Sequence, residues 1–137
     1  MSVSPLICYE DIITGPARES VQNGAELLVN LTNDAWFGDS IAPYQHNLIA
    51  SFRSIENRRY LVRSTNTGLT AIIDPYGRSV STLPAYADGT LLAQVRLMSY
   101  KSVYTKYLGD WPWWGLSIVI LLISLSGSII GRSKGIS

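Results

Sequence analysis

Short apolar runs and amphipathic stretches alternate along the first half of the chain. The apolar runs at 3–8 and 25–31 predict buried strands, and Pro5 disfavours a central sheet position for the first run. Residues 11–23 repeat apolar positions at helical spacing, and Asn23-Gly24 is a helix stop signal. The order strand, helix, strand is typical of an α/β unit with parallel strands.

A second helix is predicted at about 42–59, after a turn-rich segment at 33–41. His46 lies off its apolar stripe and has no carboxylate at helical spacing, which favours a solvated or capping histidine. Arg58 and Arg59, at the helix end, favour a solvated pair of charges over an anion site. The apolar stripe consists of Tyr44, Leu48, Phe52 and Ile55.

Four short runs with strand character follow the second helix, and turn signals separate them. Together with the preceding units, they predict an α/β domain over residues 1–99. A polar, Tyr-rich connector then covers 100–110. The four runs are 61–66, 69–75, 77–83 and 90–97.

The longest apolar stretch, WPWWGLSIVILLISLSGSIIG at 111–131, contains no charged residue. Its length matches the roughly 20 residues that cross a bilayer, and three tryptophans stand at its first end as at a membrane interface. We therefore predict one transmembrane helix, with a buried core helix as the alternative. Arg132 and Lys134 would place the tail at 132–137 in the cytoplasm, with residues 1–110 on the other side.

The composition narrows the range of functions. Lys and Arg number 11 against 10 Asp and Glu, and this net charge of +1 argues against nucleic-acid binding. The hydrophobic content of 47% suffices for a core. One cysteine and one histidine do not make a metal site, so we predict neither a metal nor a cofactor.

Cys8 stands where the first predicted strand turns towards a helix. Such a turn exposes its residue, and the helix dipole favours a negative charge there, so a thiol would become a better nucleophile. Glu10, two residues later, would bond the turn or organise a substrate. The alternative is a buried, inert thiol, because free cysteine is among the most buried residue types. A dyad of Cys8 with His46 is less favoured than a solvated histidine.

Four stretches in order carry a resemblance to a known family. They are LICYEDI at 6–12, NGAELLVNLTNDAWFGDSIAPYQH at 23–46, RSIENRRYLVRSTNTGLTAIIDPYGR at 53–78, and YTKYLGDWPWW at 104–114. With them, the chain resembles the C-terminal part of bacterial apolipoprotein N-acyltransferases, a membrane branch of the nitrilase (carbon–nitrogen hydrolase) superfamily. The resemblance implies the C-terminal part of an αββα sandwich on the extracytoplasmic side of the inner membrane.

The resemblance also implies a reaction and its residues. Cys8 matches the nucleophile, which takes an acyl chain from a phospholipid and passes it to the N-terminal amine of a diacylglyceryl-cysteine apolipoprotein. Tyr9 matches a position whose backbone N–H stabilises the oxyanion, and Glu10 matches a supporting position. The loop that borders the active site would include Asn33, Asp34, Trp36 and Phe37.

One departure from the family pattern changes the expectation for activity. The family places a catalytic glutamate and lysine upstream of the cysteine, whereas no Lys occurs here before Lys101. We therefore expect a fragment that is inactive alone and that a second chain carrying the missing Glu and Lys would complete. The alternatives are a non-catalytic, membrane-anchored subunit of a split enzyme and a nitrilase-type amidase relative.

Overall fold

The computed structural model describes residues 1–133, with side chains described up to Ser126. The chain divides into two compact units, one covering Met1–Tyr107 and one beginning at Leu108. The first unit holds the five strands that the described residues form, and the second holds the C-terminal helix.

A single mixed sheet forms the centre of the first unit. Its strands lie side by side in chain order, the first three parallel and the last two antiparallel to their neighbours. Pro5 lies in an edge strand, where its missing N–H removes no central ladder bond. The α/β prediction is confirmed. The strands are β1 (Val3–Ile7), β2 (Leu27–Thr32), β3 (Leu61–Thr65), β4 (Thr70–Ile73) and β5 (Ser79–Leu83).

Two helices, α1 (Thr14–Gln22) and α2 (Ala42–Asn57), pack on one face of the sheet. Gly24 follows α1 with a φ of 101°, as its stop signal predicts. The opposite sheet face carries Ile7 beside Leu31 in register, and both side chains are exposed. The core joins Leu6, Leu28, Leu61, Ala71 and Ile73 of the strands to Ala17, Val21 and Ala50 of the helices, with Ala25 between.

Helix α2 turns its apolar stripe outward and a polar face inward. Leu48 is 64% exposed and Phe52 is 49% exposed. Some of the inward polar groups have hydrogen-bond partners: Arg53 Nη1 donates to the Ile12 carbonyl at 3.1 Å, and Asn57 donates to the Arg53 carbonyl. The helix was predicted correctly, but its buried polar side chains include His46, Asn47, Ser51, Arg53, Ser54 and Asn57.

The two arginines after α2 differ in their surroundings. Arg58 ends the helix with a left-handed φ of 53°. Arg59 is buried and donates to the carbonyls of Ala25 at 2.7 Å and Tyr100 at 2.6 Å. Burial lowers the pKa of Arg59, although Tyr100 and Glu26 act in the opposite direction. The prediction of a solvated pair is therefore wrong for Arg59.

The predicted strand at 90–97 has no regular secondary structure. It lacks a ladder, because β5 is the last strand of the sheet. Further on, Thr105 donates its hydroxyl to Asn57 Oδ1 at 2.9 Å, and Gln22 donates to the Thr105 carbonyl. This part of the connector therefore packs onto the ends of both helices.

The turn between β4 and β5 is organised by Asp74. Its carboxylate accepts from the backbone N–H groups of Tyr76 and Arg78, and from Arg78 Nε at 2.7 Å. Burial would raise the pKa of Asp74, but the hydrogen bonds from Arg78 and Tyr76 outweigh it and hold the pKa below its ordinary 3.8. Gly77 occupies the positive-φ position of this turn, at 82°.

The C-terminal helix α3 covers Trp111–Ser133. Within the described residues, no helix combines the length and the apolarity required to cross a membrane, so the predicted transmembrane helix at 111–131 is not supported. The predicted tail at 132–137 lies beyond the described side chains.

Candidate active site

Cys8 occupies a strained turn at the end of β1. The strand ends at Ile7, and Cys8 begins a short 3-10 turn, Cys8–Asp11, with a φ of 53°. A side chain rarely adopts this left-handed conformation, which costs on the order of 1–3 kcal/mol and concentrates at functional sites. The predicted turn after the strand is confirmed, although a 3-10 turn and not α1 follows directly.

Two side chains hold this turn in place. Glu10 Oε2 accepts a hydrogen bond from the backbone N–H of Ile7 at 2.7 Å. The buried Asn30 donates its amide to the carbonyls of Leu6 and Cys8, each at 3.1 Å. The Leu6–Ile7 peptide before the turn and the Cys8–Tyr9 peptide after the thiol-bearing residue are therefore fixed by side chains from β2 and from the turn itself.

The thiol faces an open space and is not part of the core. Cys8 is partly exposed and lines a cavity of about 340 Å³ together with Asn33, Ala35 and Trp36, which we call the Cys8 cavity. The alternative of a buried Cys8 is therefore wrong, whereas the reactivity of its thiol stays a prediction. Two of the four predicted loop residues, Asn33 and Trp36, reach this cavity.

An aromatic cluster stands beside the Cys8 cavity. Tyr9 stacks on the His46 ring with 5.5 Å between centroids, and it contacts Trp36 at 6.0 Å and Phe37 at 6.4 Å. Phe37 meets the edge of His46 at 6.0 Å. The predicted loop residue Phe37 thus contributes to this cluster, whose members come from the Cys8 turn, the loop and α2.

His46 is buried at 5% exposure, which contradicts the predicted solvated histidine. Its Nε2 lies 2.8 Å from Asp11 Oδ1, and its Nδ1 lies 3.1 Å from Asp34 Oδ1. One carboxylate therefore lies within hydrogen-bond distance of each nitrogen of the imidazole ring. The loop residue Asp34 therefore binds His46 and is not a wall of the Cys8 cavity.

Arg63 of β3 completes this arrangement, which we call the carboxylate network. Its Nε donates to Asp11 Oδ2 at 3.1 Å and its Nη2 to Asp34 Oδ2 at 3.2 Å. Arg63 and both carboxylates are fully buried. Arg63 thus pairs with both carboxylates that contact His46, and these contacts offset part of the cost of burying charged groups.

The carboxylate network could not be predicted from the sequence, because its members are far apart in the chain. His46 and Asp11 are separated by 35 positions, and Arg63 and Asp11 by 52. No local spacing signals such a contact. Among the described residues, no group of three or more His, Cys, Asp or Glu side chains is arranged to hold a metal ion.

Comparisons with known proteins point to one family. The family model described as carbon-nitrogen hydrolase matches residues 1–105. The apolipoprotein N-acyltransferase of Geobacter metallireducens is 45% identical over 79% of this chain and 21% of its own length. That of Haemophilus influenzae is 36% identical over 97% of this chain and 25% of its own length.

The solved structures that resemble this chain support the same fold. An amidase from Nesterenkonia sp. superposes with a TM-score of 0.52 over 61% of this chain and 34% of its own, at 22% identity. This likeness concerns the fold alone. The chain spans about a quarter or less of the length of the apolipoprotein N-acyltransferases named above.

Proposed function

Since this chain belongs to the carbon–nitrogen hydrolase family, we propose that Cys8 is the acyl-accepting nucleophile of an N-acyltransferase reaction. The observation that carries the proposal is the strained turn that presents Cys8 to an open cavity. Relatives with 36% and 45% identity are named apolipoprotein N-acyltransferases, which supports this chemistry over other reactions of the family.

In the proposed reaction, the Cys8 thiolate attacks the carbonyl carbon of a phospholipid ester. A carbon–sulfur bond forms, the ester carbon–oxygen bond breaks, and the lysophospholipid leaves with a proton. The backbone N–H of Tyr9 is the proposed donor to the oxyanion of the tetrahedral intermediate. The α-amine of a diacylglyceryl-cysteine apolipoprotein then attacks the thioester and releases Cys8.

The proposed role of Glu10 is to hold the turn through the Ile7 N–H. Asn30 assists from β2 by fixing the Cys8 carbonyl. Because Glu10 fixes the Leu6–Ile7 peptide and Asn30 fixes the Cys8–Tyr9 peptide, they would keep the Cys8 sulfur directed into the Cys8 cavity while two large substrates exchange. Asn33 and Trp36 would border the reacting ester.

The general base and the lysine of the reaction are, in this proposal, supplied by residues outside this sequence. No Lys precedes Cys8 here, and Glu10 is already bonded to the turn. Each missing group is worth orders of magnitude in rate, so the chain by itself should turn over phospholipid very slowly. A longer chain or a complementary chain would contribute both groups.

The proposed substrates are lipids, so we place the reaction at the surface of the bacterial cytoplasmic membrane. Its extracytoplasmic orientation is inferred from the family resemblance. The acceptor of the acyl group distinguishes the two candidate reactions. If water took the acyl group from Cys8, the protein would be an amidase-like hydrolase, whereas transfer to an amine makes it an acyltransferase.

The decisive experiment follows the acyl group. The chain is co-expressed with a polypeptide carrying the missing Glu and Lys, then given phospholipid and a diacylglyceryl-cysteine peptide. Mass spectrometry should find a hydroxylamine-sensitive acyl adduct on Cys8 and an amide-linked chain on the peptide, both absent in Cys8→Ala. A complex that forms and accumulates neither product, or releases only fatty acid, would overturn the acyltransferase proposal.

A further inference from the structure

A narrow apolar slot lies on the outer side of the aromatic cluster. Its volume is about 180 Å³, and its walls are formed mainly by Tyr9, Ile12, Phe37, Ala42 and Ile49. Gln45 and the edge of the buried His46 ring complete it. No Lys, Arg, Asp or Glu side chain lines the slot, so an ionic group placed there would lose its hydration without gaining a partner.

The outward orientation of α2 creates this slot. Ile49 points away from the sheet and is 44% exposed, in contrast to the neighbouring Ala50, which is in the core. Had the helix buried its apolar side in the usual way, Ile49 would pack against the strands. The inversion instead places aliphatic side chains beside the Tyr9 and Phe37 rings.

The slot lies beside the Cys8 cavity, and contacting aromatic rings separate the two spaces. Trp36 lines the Cys8 cavity, whereas Tyr9 and Phe37 line the slot. The three rings touch one another, with centroid distances of 6.0 Å for Tyr9 and Trp36 and 6.4 Å for Trp36 and Phe37. Tyr9 is also the residue that follows Cys8. An acyl chain joined to the Cys8 sulfur therefore has to pass only these aromatic rings to reach the slot.

We propose that the slot binds the distal part of the acyl chain whose carbonyl is joined to Cys8. This inference rests on the proposed function and specifies its donor: an unbranched hydrocarbon chain long enough to extend past Trp36. A narrow channel without charges suits methylene groups, whose burial is favourable without any directional partner.

The test uses the complete 137-residue chain and p-nitrophenyl esters from acetyl to octanoyl. The activated ester reacts with a thiolate without a general base: the carbon–sulfur bond forms, p-nitrophenolate leaves, and the thiol proton goes to buffer. Rate constants are divided by those for N-acetylcysteine to remove intrinsic differences. Fully burying one methylene group is worth a factor of about four in rate. We therefore expect the normalised rate constant for the octanoyl ester to exceed that for the acetyl ester by at least about tenfold.

Two matched variants locate the effect. Ile49→Trp fills the slot and should reduce the octanoyl-to-acetyl ratio to below about threefold. Leu48→Trp makes the same change at the adjacent exposed position, which does not line the slot, and should keep the ratio within about twofold of the wild type. Ile49→Ala removes apolar contact and should lower the ratio without adding bulk.

The outcomes separate the two proposals. If the acetyl ester fails to modify Cys8, the proposed nucleophile is wrong, whatever the slot does. If acetyl reacts but the wild-type ratio is near one, the slot proposal is wrong and the nucleophile stands. If the octanoyl-to-acetyl ratio stays high in both Ile49→Trp and Ile49→Ala, the acyl chain lies in the Cys8 cavity, and the slot proposal is wrong in that case as well.

Discussion

His46 Nε2 lies 2.8 Å from Asp11 Oδ1, and this contact joins helix α2 to the turn that begins with Cys8. The other ring nitrogen reaches Asp34, which lies between the cavity-lining residues Asn33 and Ala35. One side chain therefore anchors two walls of the Cys8 cavity without lining it.

We expect His46→Phe to lower the free energy of unfolding by about 3–5 kcal/mol, because both buried carboxylates lose a partner and retain Arg63, with the Thr32 hydroxyl still donating to Asp34. Urea denaturation followed by tryptophan fluorescence measures this change. Leu48→Phe is the control, since an exposed position on the same helix should change stability by less than about 0.5 kcal/mol. Equal effects of the two substitutions would show that the carboxylate network contributes little.

Glu10 should control the reactivity of Cys8 through the Ile7 N–H. Glu10→Ala removes the acceptor, a loss of about 1 kcal/mol that corresponds to an acylation about fivefold slower. Glu10→Gln keeps an amide oxygen in the same place and should retain at least half of the rate. The rate constant of Cys8 with p-nitrophenyl acetate measures both. If Ala and Gln variants slow equally, the charge of Glu10 and not its hydrogen bond is what matters.

The local parts of the site could be predicted from the sequence. The apolar run before Cys8, the stop signal after α1 and the DPYGR turn at 74–78 depend on neighbours within a few residues, and the structure has all three. The turn at Cys8 follows from the same kind of pattern. Both predicted helices of the first unit and the first five predicted strands therefore lie close to their observed bounds, whereas the strand predicted at 90–97 did not form.

The orientation of α2 could not be predicted, because it depends on distant partners. A stripe such as Tyr44, Leu48 and Phe52 normally faces a core, and the periodicity contains nothing that distinguishes outward from inward. The inward position of His46 becomes favourable only when Asp11 and Asp34 meet it. For the same reason, the slot beside Ile49 had no signature in the sequence.

The left-handed backbone conformation at position 8 predicts that glycine is more stable there than alanine. Cys8→Gly removes the left-handed strain and should be more stable than Cys8→Ala by about 1 kcal/mol. At Glu19, exposed within α1, the order should reverse, with Gly about 1 kcal/mol less stable than Ala. Thermal unfolding of the four variants gives both differences. A Cys8→Gly variant less stable than Cys8→Ala would mean that this φ carries no strain.

The Asp74 turn predicts a specific dependence of stability on acid. Because hydrogen bonds from Arg78 and Tyr76 lower the folded-state pKa of Asp74 below 3.8, its stabilisation is complete above that pH and is lost as the pH falls through the lowered value. Asp74→Asn should cost about 2 kcal/mol at pH 7 and flatten the decline of unfolding free energy below pH 4. Asp39→Asn, an exposed loop control, should leave both unchanged. Urea titrations between pH 7 and pH 2.5 would contradict this account if Asp74→Asn followed the same acid decline as the parent chain.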